Sequence, residues 1–446
     1  MKKLLIVAAI IAMTSVLLPA QTTASSKRDK ARQAVLDRGR GYYKDIFMNS
    51  GIGLTSRRDL PVSEALKLSM EYFEGPNRRQ KSTPQDSLLQ ANVFYGYEDD
   101  TNGWLLYPDG APRFRMLYMN GGSAIKHAKS LTKEARDNVY KYVANGGSYV
   151  GTCAGAFFSS AGGYSAKRNK TRYTSYYIGL WPGYTHSTGL RKAPTGMDIA
   201  RRSPMLRYYD FGGDKFVKDV CHNGGCYAYD GERKPMPSGT EILAYYNFND
   251  TEKVKIDGKP SVWAFKRGKE SGRAILCGSH PEGVKSGERL DFMAAMVLYA
   301  MDGNPTPKPK ATLKSGEVRE MNKRTEDNDA AFTRIGDRQY HHFVVNVPRK
   351  CQKLEIALDG YEGSEKYDLT LCANYKELAY TDQAVKRVVS NGCTKSLVIE
   401  KPKAGCWYIS VLCETTVSTD IGNNGTIYTG DLSVLNGVPY KISVKY

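Results

Sequence analysis

A single cysteine between small residues is the first candidate for chemistry in this sequence. It lies in GSYVGTCAGAFFSS, residues 147–160, where a β-type run ends and an apolar run of small residues begins. A strand that turns sharply into a helix, with glycine two residues before and after the nucleophile, forms a nucleophile elbow. Gly151, Ala154 and Gly155 are small enough for this turn, and a helix N-terminus favours the thiolate form of Cys153. We therefore predict an exposed, nucleophilic thiol; the alternative is a buried structural cysteine after a strand.

A base and an acid for this thiol lie far downstream, in ILCGSHPEG, where His280 and Glu282 follow a β-type run. A nucleophilic cysteine needs a base to take its proton, and the imidazole needs an acceptor that fixes its tautomer. Because parallel strands gather their carboxyl ends at one edge of a sheet, Cys153 and His280 can meet there. The sequence therefore predicts a triad of Cys153, His280 and Glu282.

Backbone amides for an oxyanion are predicted at a glycine turn. The β-type run 114–119 ends at Asn120-Gly121-Gly122-Ser123, on the same edge of the expected sheet. Bare glycine amides can donate hydrogen bonds to a tetrahedral oxyanion. We assign this role to Gly121 and Gly122, together with Ala154 after the nucleophile. The alternative is a glycine turn that only leads into a loop.

The residues ahead of 304 alternate between helix and strand patterns. Helices are predicted at 61–73, at 132–145 with Thr132 as N-cap, from about 153, and at 288–301. Strands are predicted at 45–49, 92–95, 114–119, 148–150, 241–246, 261–266 and 273–277. Such alternation indicates an α/β domain, a mainly parallel sheet with helices on both faces.

A short proline-spaced linker, residues 304–310, separates this α/β domain (25–303) from a C-terminal segment with a different sequence pattern. Residues 311–446 contain short alternating runs divided by turn residues, which is typical of a small antiparallel β-sandwich. The predicted strands of this second domain are 342–347, 353–358, 367–373, 396–400, 406–413 and 440–445.

The N-terminal residues 1–24 have the features of a cleaved secretory signal peptide. Lys2 and Lys3 precede an apolar run over 4–18, and small residues follow at 22–24. The apolar run is short for a membrane span, and no later stretch is long enough for one. We therefore expect a secreted or periplasmic protein without a transmembrane segment after cleavage; the alternative is an uncleaved N-terminal anchor.

The nine cysteines permit disulfides in an exported protein, and eight remain when the elbow cysteine is set aside. Cys221 and Cys226 are close enough in sequence to pair, as are Cys406 and Cys413, but the sequence does not decide any pairing. Cys221, His222 and Cys226 also resemble part of a zinc site, although their spacing fits a disulfide or a pocket-lining loop better. We predict neither a metal nor a cofactor.

The formal charge of +18 is unevenly distributed. Residues 311–446 hold 18 Lys/Arg against 17 Asp/Glu, which leaves about +15 on residues 25–310. A positive domain favours anionic partners, such as an acidic envelope polymer or a carboxylate-bearing substrate. The basic residues are scattered rather than arranged in a stripe, so we expect no nucleic-acid partner; general solubility is the other explanation of the charge.

The sequence from Leu117 to Ser160, with VANGGSYVGTCAGAFFSS and the later GSHPEG, resembles the class I glutamine amidotransferase superfamily. Within it, the similarity is closest to the domain named for the N-terminus of biotin-protein ligases. The runs that carry this similarity, in order, are YIGLWPG (177–183), HNGGCYAYDG (222–231), TEILAYYN (240–247) and SGRAILCGSHPEG (271–283). The resemblance covers roughly residues 40–302. It implies a flavodoxin-like α/β fold and a Cys-His-Glu triad, here Cys153, His280 and Glu282.

The chain also departs from these relatives. An amidotransferase passes ammonia to a synthase, whereas this chain has no synthase domain, and it has no ligase domain from which biotin chemistry could be transferred. The C-terminal residues resemble the pre-peptidase C-terminal domain, a β-sandwich appended to secreted hydrolases. This second resemblance is carried by HHFVVNVPRKCQKLEIALDG, KYDLTLCANYK and KPKAGCWYISVLC. It implies a binding or processing module.

These observations predict an exported cysteine hydrolase of amide or peptide C–N bonds, acting on a small-molecule or peptide amide. The alternative is a non-catalytic envelope protein that keeps the fold and binds an anionic polymer or a protein partner. The complete set of Cys153, His280 and Glu282 favours the enzyme. A third hypothesis, a stress-response role for the thiol, would need Cys153 but not Glu282.

Overall fold

The computed structural model describes residues 26–50, 53–55, 59–74, 104–250, 252, 254–422 and 425–446. The predicted signal peptide, 1–24, and the predicted strand 92–95 lie outside these residues. No helix of the described part of the chain is both long and apolar enough to cross a membrane.

The first domain contains a nine-stranded sheet and a smaller four-stranded sheet. Its strands are β1 (Lys44–Ser50), β2 (Met70–Glu74), β3 (Phe114–Met119), β4 (Ser148–Thr152), β5 (Ser160–Ser165), β6 (Lys170–Arg172), β7 (Trp181–Ser187), β8 (Ala193–Ile199), β9 (Phe216–His222), β10 (Cys226–Ala228), β11 (Glu241–Asn247), β12 (Pro260–Phe265) and β13 (Ala274–Cys277). The large sheet has the order β2-β1-β3-β4-β13-β12-β11-β8-β9, and the small one the order β10-β7-β5-β6.

Parallel pairing is confined to one half of the large sheet. Strands β2, β1, β3, β4 and β13 pair in parallel. Strands β12, β11, β8 and β9 continue the sheet with antiparallel pairing. The predicted α/β class is confirmed, but the sheet is mixed rather than mainly parallel, because the chain after β7 returns through hairpin-like connections instead of helical crossovers.

Helices cover both faces of the large sheet, as predicted. They are α1 (residues 26–37), α2 (Pro61–Ala65), α3 (Ala124–Ser130), α4 (Lys133–Ala144), α5 (Ala154–Ser159) and α6 (Glu288–Asp302), with short 3-10 turns at Ala166–Arg168, Pro204–Arg207 and Phe211–Gly213. Neighbouring residues of the central strands enter different cores: Tyr149 packs with α3, α4 and α5, whereas Val150 packs with α1, α2 and α6. Every residue of β3, β4 and β13 is buried, as expected for strands covered on both sides.

The predicted helix 61–73 is wrong in its second half. The helix ends at Ala65, and Lys67 adopts a φ of 54°, in the left-handed region that terminates a helix. Residues from Met70 onward then extend and pair in parallel with β1. Tyr72 and Phe73 enter opposite cores, which is the alternation of a strand and not the spacing of a helix.

Other local predictions are close to the structure. Strand β3 has the predicted bounds, and α4 begins directly after the predicted N-cap, with the Thr132 side chain accepting a hydrogen bond from the Ala135 amide at 3.1 Å. The final helix of the domain, predicted at 288–301, is observed as α6.

Removing the cap of α4 provides a first test of the fold. Thr132→Ala is expected to lower the free energy of unfolding by about 1 kcal/mol, because the Ala135 amide loses its acceptor. Denaturant unfolding followed by circular dichroism measures the change. Thr394→Ala, at an exposed loop position, is the control and should stay within about 0.5 kcal/mol of the wild type. Equal losses in the two variants would contradict the assigned cap.

The second domain is an antiparallel β-sandwich, as predicted. Its strands are β14 (Ala311–Thr312), β15 (Val318–Met321), β16 (Tyr340–Val347), β17 (Lys353–Gly360), β18 (Leu369–Tyr375), β19 (Lys386–Val388), β20 (Lys395–Glu400), β21 (Gly405–Cys413), β22 (Ser418–Gly422), β23 (Gly425–Thr429) and β24 (Tyr440–Lys445), with 3-10 turns at Thr325–Asp327 and Leu432–Asn436. One layer has the order β14-β16-β21-β18-β19, the other β15-β24-β17-β20, and β22 and β23 form a separate hairpin. Only the short β14 pairs in parallel within these layers.

Buried charges join the two domains. Arg113, just before β3, forms an ion pair with Asp337 of the sandwich, and both side chains are fully buried. Nearby, Asp109 of the first domain is paired with Lys310 of the linker and lies 3.7 Å from His341 in β16. The domains therefore contact each other through specific polar groups as well as through apolar packing.

All nine cysteines are free thiols, so neither suggested disulfide is present. Cys406 and Cys413 lie near opposite ends of β21, and at about 3.3 Å per residue they are too far apart to bond. Cys221 is exposed near the end of β9, whereas Cys226 is buried in β10.

Candidate active site

Cys153 occupies the turn between β4 and α5. Its backbone has φ 47° and ψ −100°, a strained conformation for a residue with a side chain, and its amide donates to the Cys277 carbonyl at 2.8 Å. The neighbouring glycines are required by close packing. A Cβ at Gly155 would lie 2.3 Å from the Met119 carbonyl oxygen, and one at Gly151 would lie 2.6 Å from the carbonyl carbon of Gly155.

The thiol is covered, which differs from the exposed group predicted from the sequence. Cys153 is only 4% exposed. Its sulfur lies 4.0 Å from the carbonyl oxygen of Asn223, in the turn between β9 and β10. The sequence could not show this cover, because the turn comes from a segment 70 residues away.

His280 and Glu282 follow β13 at the carboxyl edge of the parallel strands. The Nδ1 atom of His280 lies 2.9 Å from Oε1 of Glu282, and the Glu282 side chain is 5% exposed. Cys153 is also a neighbour of the His280 side chain, close enough to affect the pKa of the imidazole. Because Nδ1 faces the carboxylate, Nε2 is the ring nitrogen left to exchange a proton with the thiol. The imidazole of His280 therefore lies beside Cys153 and is hydrogen-bonded to Glu282.

The electrostatics of this site favour a protonated imidazole. Burial would lower the pKa of His280, but its interactions with Cys153 and with the Glu282 carboxylate raise it to about 11. The imidazole therefore holds its proton through the neutral range and loses it only as the pH rises through about 11.

The amide of Gly121, a predicted oxyanion donor, already has an acceptor in the structure. It donates to the side-chain oxygen of Asn120 at 2.9 Å, so it is engaged and not directed at a substrate. A Cβ on Gly121 would lie 2.2 Å from Cε1 of His280. The imidazole of His280 therefore packs directly against Gly121, which has room for a hydrogen atom but not for a side chain.

Two other amides remain candidates for an oxyanion site. Ala154 is the first residue of α5, and the first hydrogen bond of that helix runs from the Phe157 amide to the Cys153 carbonyl, so the Ala154 amide belongs to the open first turn. Gly122 has a φ of 141° and forms an isolated β-bridge with Leu54. The hydrogen bonds of this bridge join the flanking residues: the Ser123 amide donates to the Gly53 carbonyl, and the Thr55 amide donates to the Gly121 carbonyl.

His222 is a site residue that sequence reasoning did not identify as such. Its Nε2 lies 2.7 Å from Oγ1 of Thr188, and its Nδ1 lies 2.8 Å from Oγ of Ser279. Both ring nitrogens are thus engaged by hydroxyl groups and neither is directed at a metal. Burial, followed by the charge of His280, lowers the pKa of His222 to about 4. Its position after a β-type run, like that of His280, was the available signal.

Part of the chain is similar in sequence to known proteins. Residues 110–296 match the family model described as "Biotin-protein ligase, N terminal". An uncharacterized protein of Chlamydia muridarum is 26% identical over 181 residues, covering 38% of this chain and 60% of the relative. A biotin–protein ligase of Schizosaccharomyces pombe is 27% identical over 181 residues, covering 37% of this chain and 25% of the ligase.

The chain thus spans less than two thirds of either curated relative. Among solved structures, a GMP synthase component from Thermoplasma acidophilum aligns with 57% of this chain and 92% of its own, at 11% identity and a TM-score of 0.32. Within the α/β domain, residues 110–296 are therefore similar to the N-terminal domain of biotin-protein ligases.

Proposed function

We propose that the α/β domain is a cysteine hydrolase that cleaves an amide C–N bond in a small molecule or peptide, in a protein exported by residues 1–24. The observation that carries this proposal is the position of His280, which lies beside Cys153 and has 2.9 Å between its Nδ1 and Oε1 of Glu282. A nucleophile, a base and an orienting acid in this order are the parts that covalent acyl transfer requires.

The proposed reaction has two halves. The Cys153 thiolate attacks the substrate carbonyl, and the His280 imidazolium donates its proton to the departing amine, which leaves a thioester. The neutral imidazole then takes a proton from water, whose oxygen attacks the thioester and releases the carboxylic acid and the thiolate. Glu282 holds the Nδ1–H of His280 in both halves. The amides of Ala154 and Gly122 are the proposed donors to the oxyanion.

The residues that cover Cys153 restrict how a substrate can reach the thiol. The His280 side chain is 20% exposed, whereas Cys153 is 4% exposed, so the site opens to solvent at the imidazole. A substrate carbonyl would approach past His280, or after the turn at Asn223 has moved. This requirement favours an extended or small amide over a bulky folded substrate.

The buried thiol also favours a second candidate function, a non-catalytic binding protein. In that case the positive charge of the α/β domain would bind an anionic envelope polymer or a protein partner. Under this alternative the close contact of Cys153 with His280 would be structural.

Alkylation of Cys153 distinguishes the two functions. Iodoacetamide labelling of the full chain would be followed by mass spectrometry of the peptide that contains Cys153, at pH values from 5 to 9. A thiolate held by an imidazolium should react at pH 6 nearly as fast as at pH 8. A thiol with the ordinary pKa of about 8.5 is only about 0.3% ionised at pH 6. His280→Ala should therefore reduce the rate at pH 6 by on the order of 10- to 100-fold, since a more basic thiolate is also the better nucleophile.

Cys351, a partly exposed thiol between β16 and β17 of the β-sandwich, is an internal reference in every sample, because it lies outside the domain that carries Cys153. Equal pH profiles for Cys153 in the wild type and His280→Ala would overturn the hydrolase and favour the binding protein. Hydrolysis of a panel of peptide and small amides, lost in Cys153→Ala, would then define the substrate.

A further inference from the structure

The turn that covers the thiol is attached directly to the loop that carries the proposed base. The His280 amide donates to the Cys221 carbonyl at 2.8 Å. The backbones also touch: a Cβ on Gly225 would lie 1.7 Å from the Gly278 oxygen, and one on Gly278 would lie 1.8 Å from the Cys226 oxygen. Residues 221–226, which we call the cover segment, therefore cannot shift without affecting the position of His280.

His222 is the side chain at the centre of this attachment. It is fully buried, and its ring packs edge-on against Tyr246 with 5.5 Å between the centroids. Its two nitrogens contact Ser279, the residue before His280, and Thr188, the residue after β7. His222 thus joins the cover segment to two other segments of the chain, one of which leads directly into the proposed base.

The hydrogen bonds of this cluster have a defined direction. The Thr188 hydroxyl donates to the Gly225 carbonyl at 3.1 Å, so its oxygen accepts from Nε2–H of His222. In a neutral imidazole the other nitrogen is then an acceptor, and Nδ1 receives the Ser279 hydroxyl. The chain of donors runs from Ser279 through His222 and Thr188 to Gly225.

This arrangement suits a neutral ring. A charged His222 would place a second positive group beside the His280 imidazolium, whereas a neutral ring holds the loop without competing for Cys153 or Glu282. Full burial keeps water out of the hydroxyl contacts, so their geometry is set by the protein alone.

We propose that His222 is a positioning residue, which holds His280 and the cover segment in their observed positions next to Cys153. The inference rests on the proposed function, since it concerns the same thiol and imidazole. Misplacing a catalytic group by about 1 Å can cost on the order of 100-fold in rate. A residue outside the reacting path can therefore determine whether the path works.

The test compares the alkylation of Cys153 in the full chain across His222→Ala, His222→Asn and Ser279→Ala. His222→Ala should lower the rate at pH 6 by about tenfold or more and shift the pH midpoint toward that of an ordinary thiol. Ser279→Ala should shift it in the same direction. His222→Asn keeps an oxygen near the position of Nδ1, where the Ser279 hydroxyl can still donate, and should recover part of the loss.

His342→Ala is the matched control. His342 is also a buried histidine bonded to a serine hydroxyl, Ser410 at 2.6 Å, but it lies in the β-sandwich. Its loss should lower the melting temperature without changing the alkylation profile. If His222→Ala and Ser279→Ala also lower only the melting temperature, His222 is merely structural and the inference is overturned. If instead the wild type already matches His280→Ala, the proposed function itself fails, and the inference fails with it.

Discussion

Replacing Asp337 by alanine is expected to lower the free energy of unfolding by about 3–5 kcal/mol, the cost of breaking a buried ion pair from one side. Asp337 and Arg113 are both fully buried and come from different domains. The guanidinium also lies over the rings of Trp104 and Tyr107, at 4.5 and 4.7 Å, so it cannot leave for water without disrupting aromatic packing. The variant leaves this buried charge without its carboxylate.

Denaturant unfolding of the full chain measures the effect. Asp382→Ala is the matched control, because Asp382 also pairs across the domains, with Arg40, but both side chains are about half exposed. An exposed pair contributes about 0–1 kcal/mol, so the control should change little. Similar losses in the two variants would show that burial of the Arg113–Asp337 pair does not determine its contribution.

Gly121→Ala is expected to abolish the proposed activation of Cys153 while the protein still folds. The added methyl carbon would lie 2.2 Å from Cε1 of His280, so the imidazole must move by more than an ångström. The φ of Gly121 is outside the left-handed region, so alanine causes no backbone strain there. The rate of Cys153 alkylation at pH 6 should fall by about 100-fold. Overpacking should cost about 1–3 kcal/mol of stability.

The control for this variant is Gly163→Ala in β5, where an added Cβ has no atom within 4 Å. It should leave both the alkylation profile and the melting temperature unchanged. If Cys153 in Gly121→Ala is alkylated at the wild-type rate, its reactivity does not depend on the observed position of the imidazole. The contact between Gly121 and His280 would then have no role in that reactivity.

Local signals in the sequence were reliable where the structure depends on neighbours along the chain. The bounds of β3 and the cap of α4 at Thr132 follow from periodicity and capping chemistry, which act within a few residues. The helix predicted at 61–73 failed because pairing with β1 overrides the local helical pattern. Half of the large sheet pairs antiparallel for a similar reason: strand direction depends on the path of the connections, which alternation alone does not specify.

The site shows the same division. Its three proposed catalytic side chains could be selected from the sequence because their residue types, and the glycines around Cys153, are typical of acyl-transfer chemistry and of a tight turn. The sequence could not predict three other features of the site: the cover over the thiol, the occupied amide of Gly121 and the contacts of His222. Each depends on atoms from distant segments, such as Thr188 and Ser279 on the two nitrogens of one ring.

The sequence alone was enough to predict the class of the two domains, the elements nearest the elbow and the candidate catalytic residues. Only the tertiary structure showed how much of each residue is exposed to solvent, which backbone amides already have an acceptor and which buried charges join the domains. Arg113 and Asp337 are 224 residues apart, and no local pattern marks either as the partner of the other. The physical reason is that burial and hydrogen-bond partners are set by long-range packing, whereas turns, caps and periodicity are set by the chain's immediate neighbours.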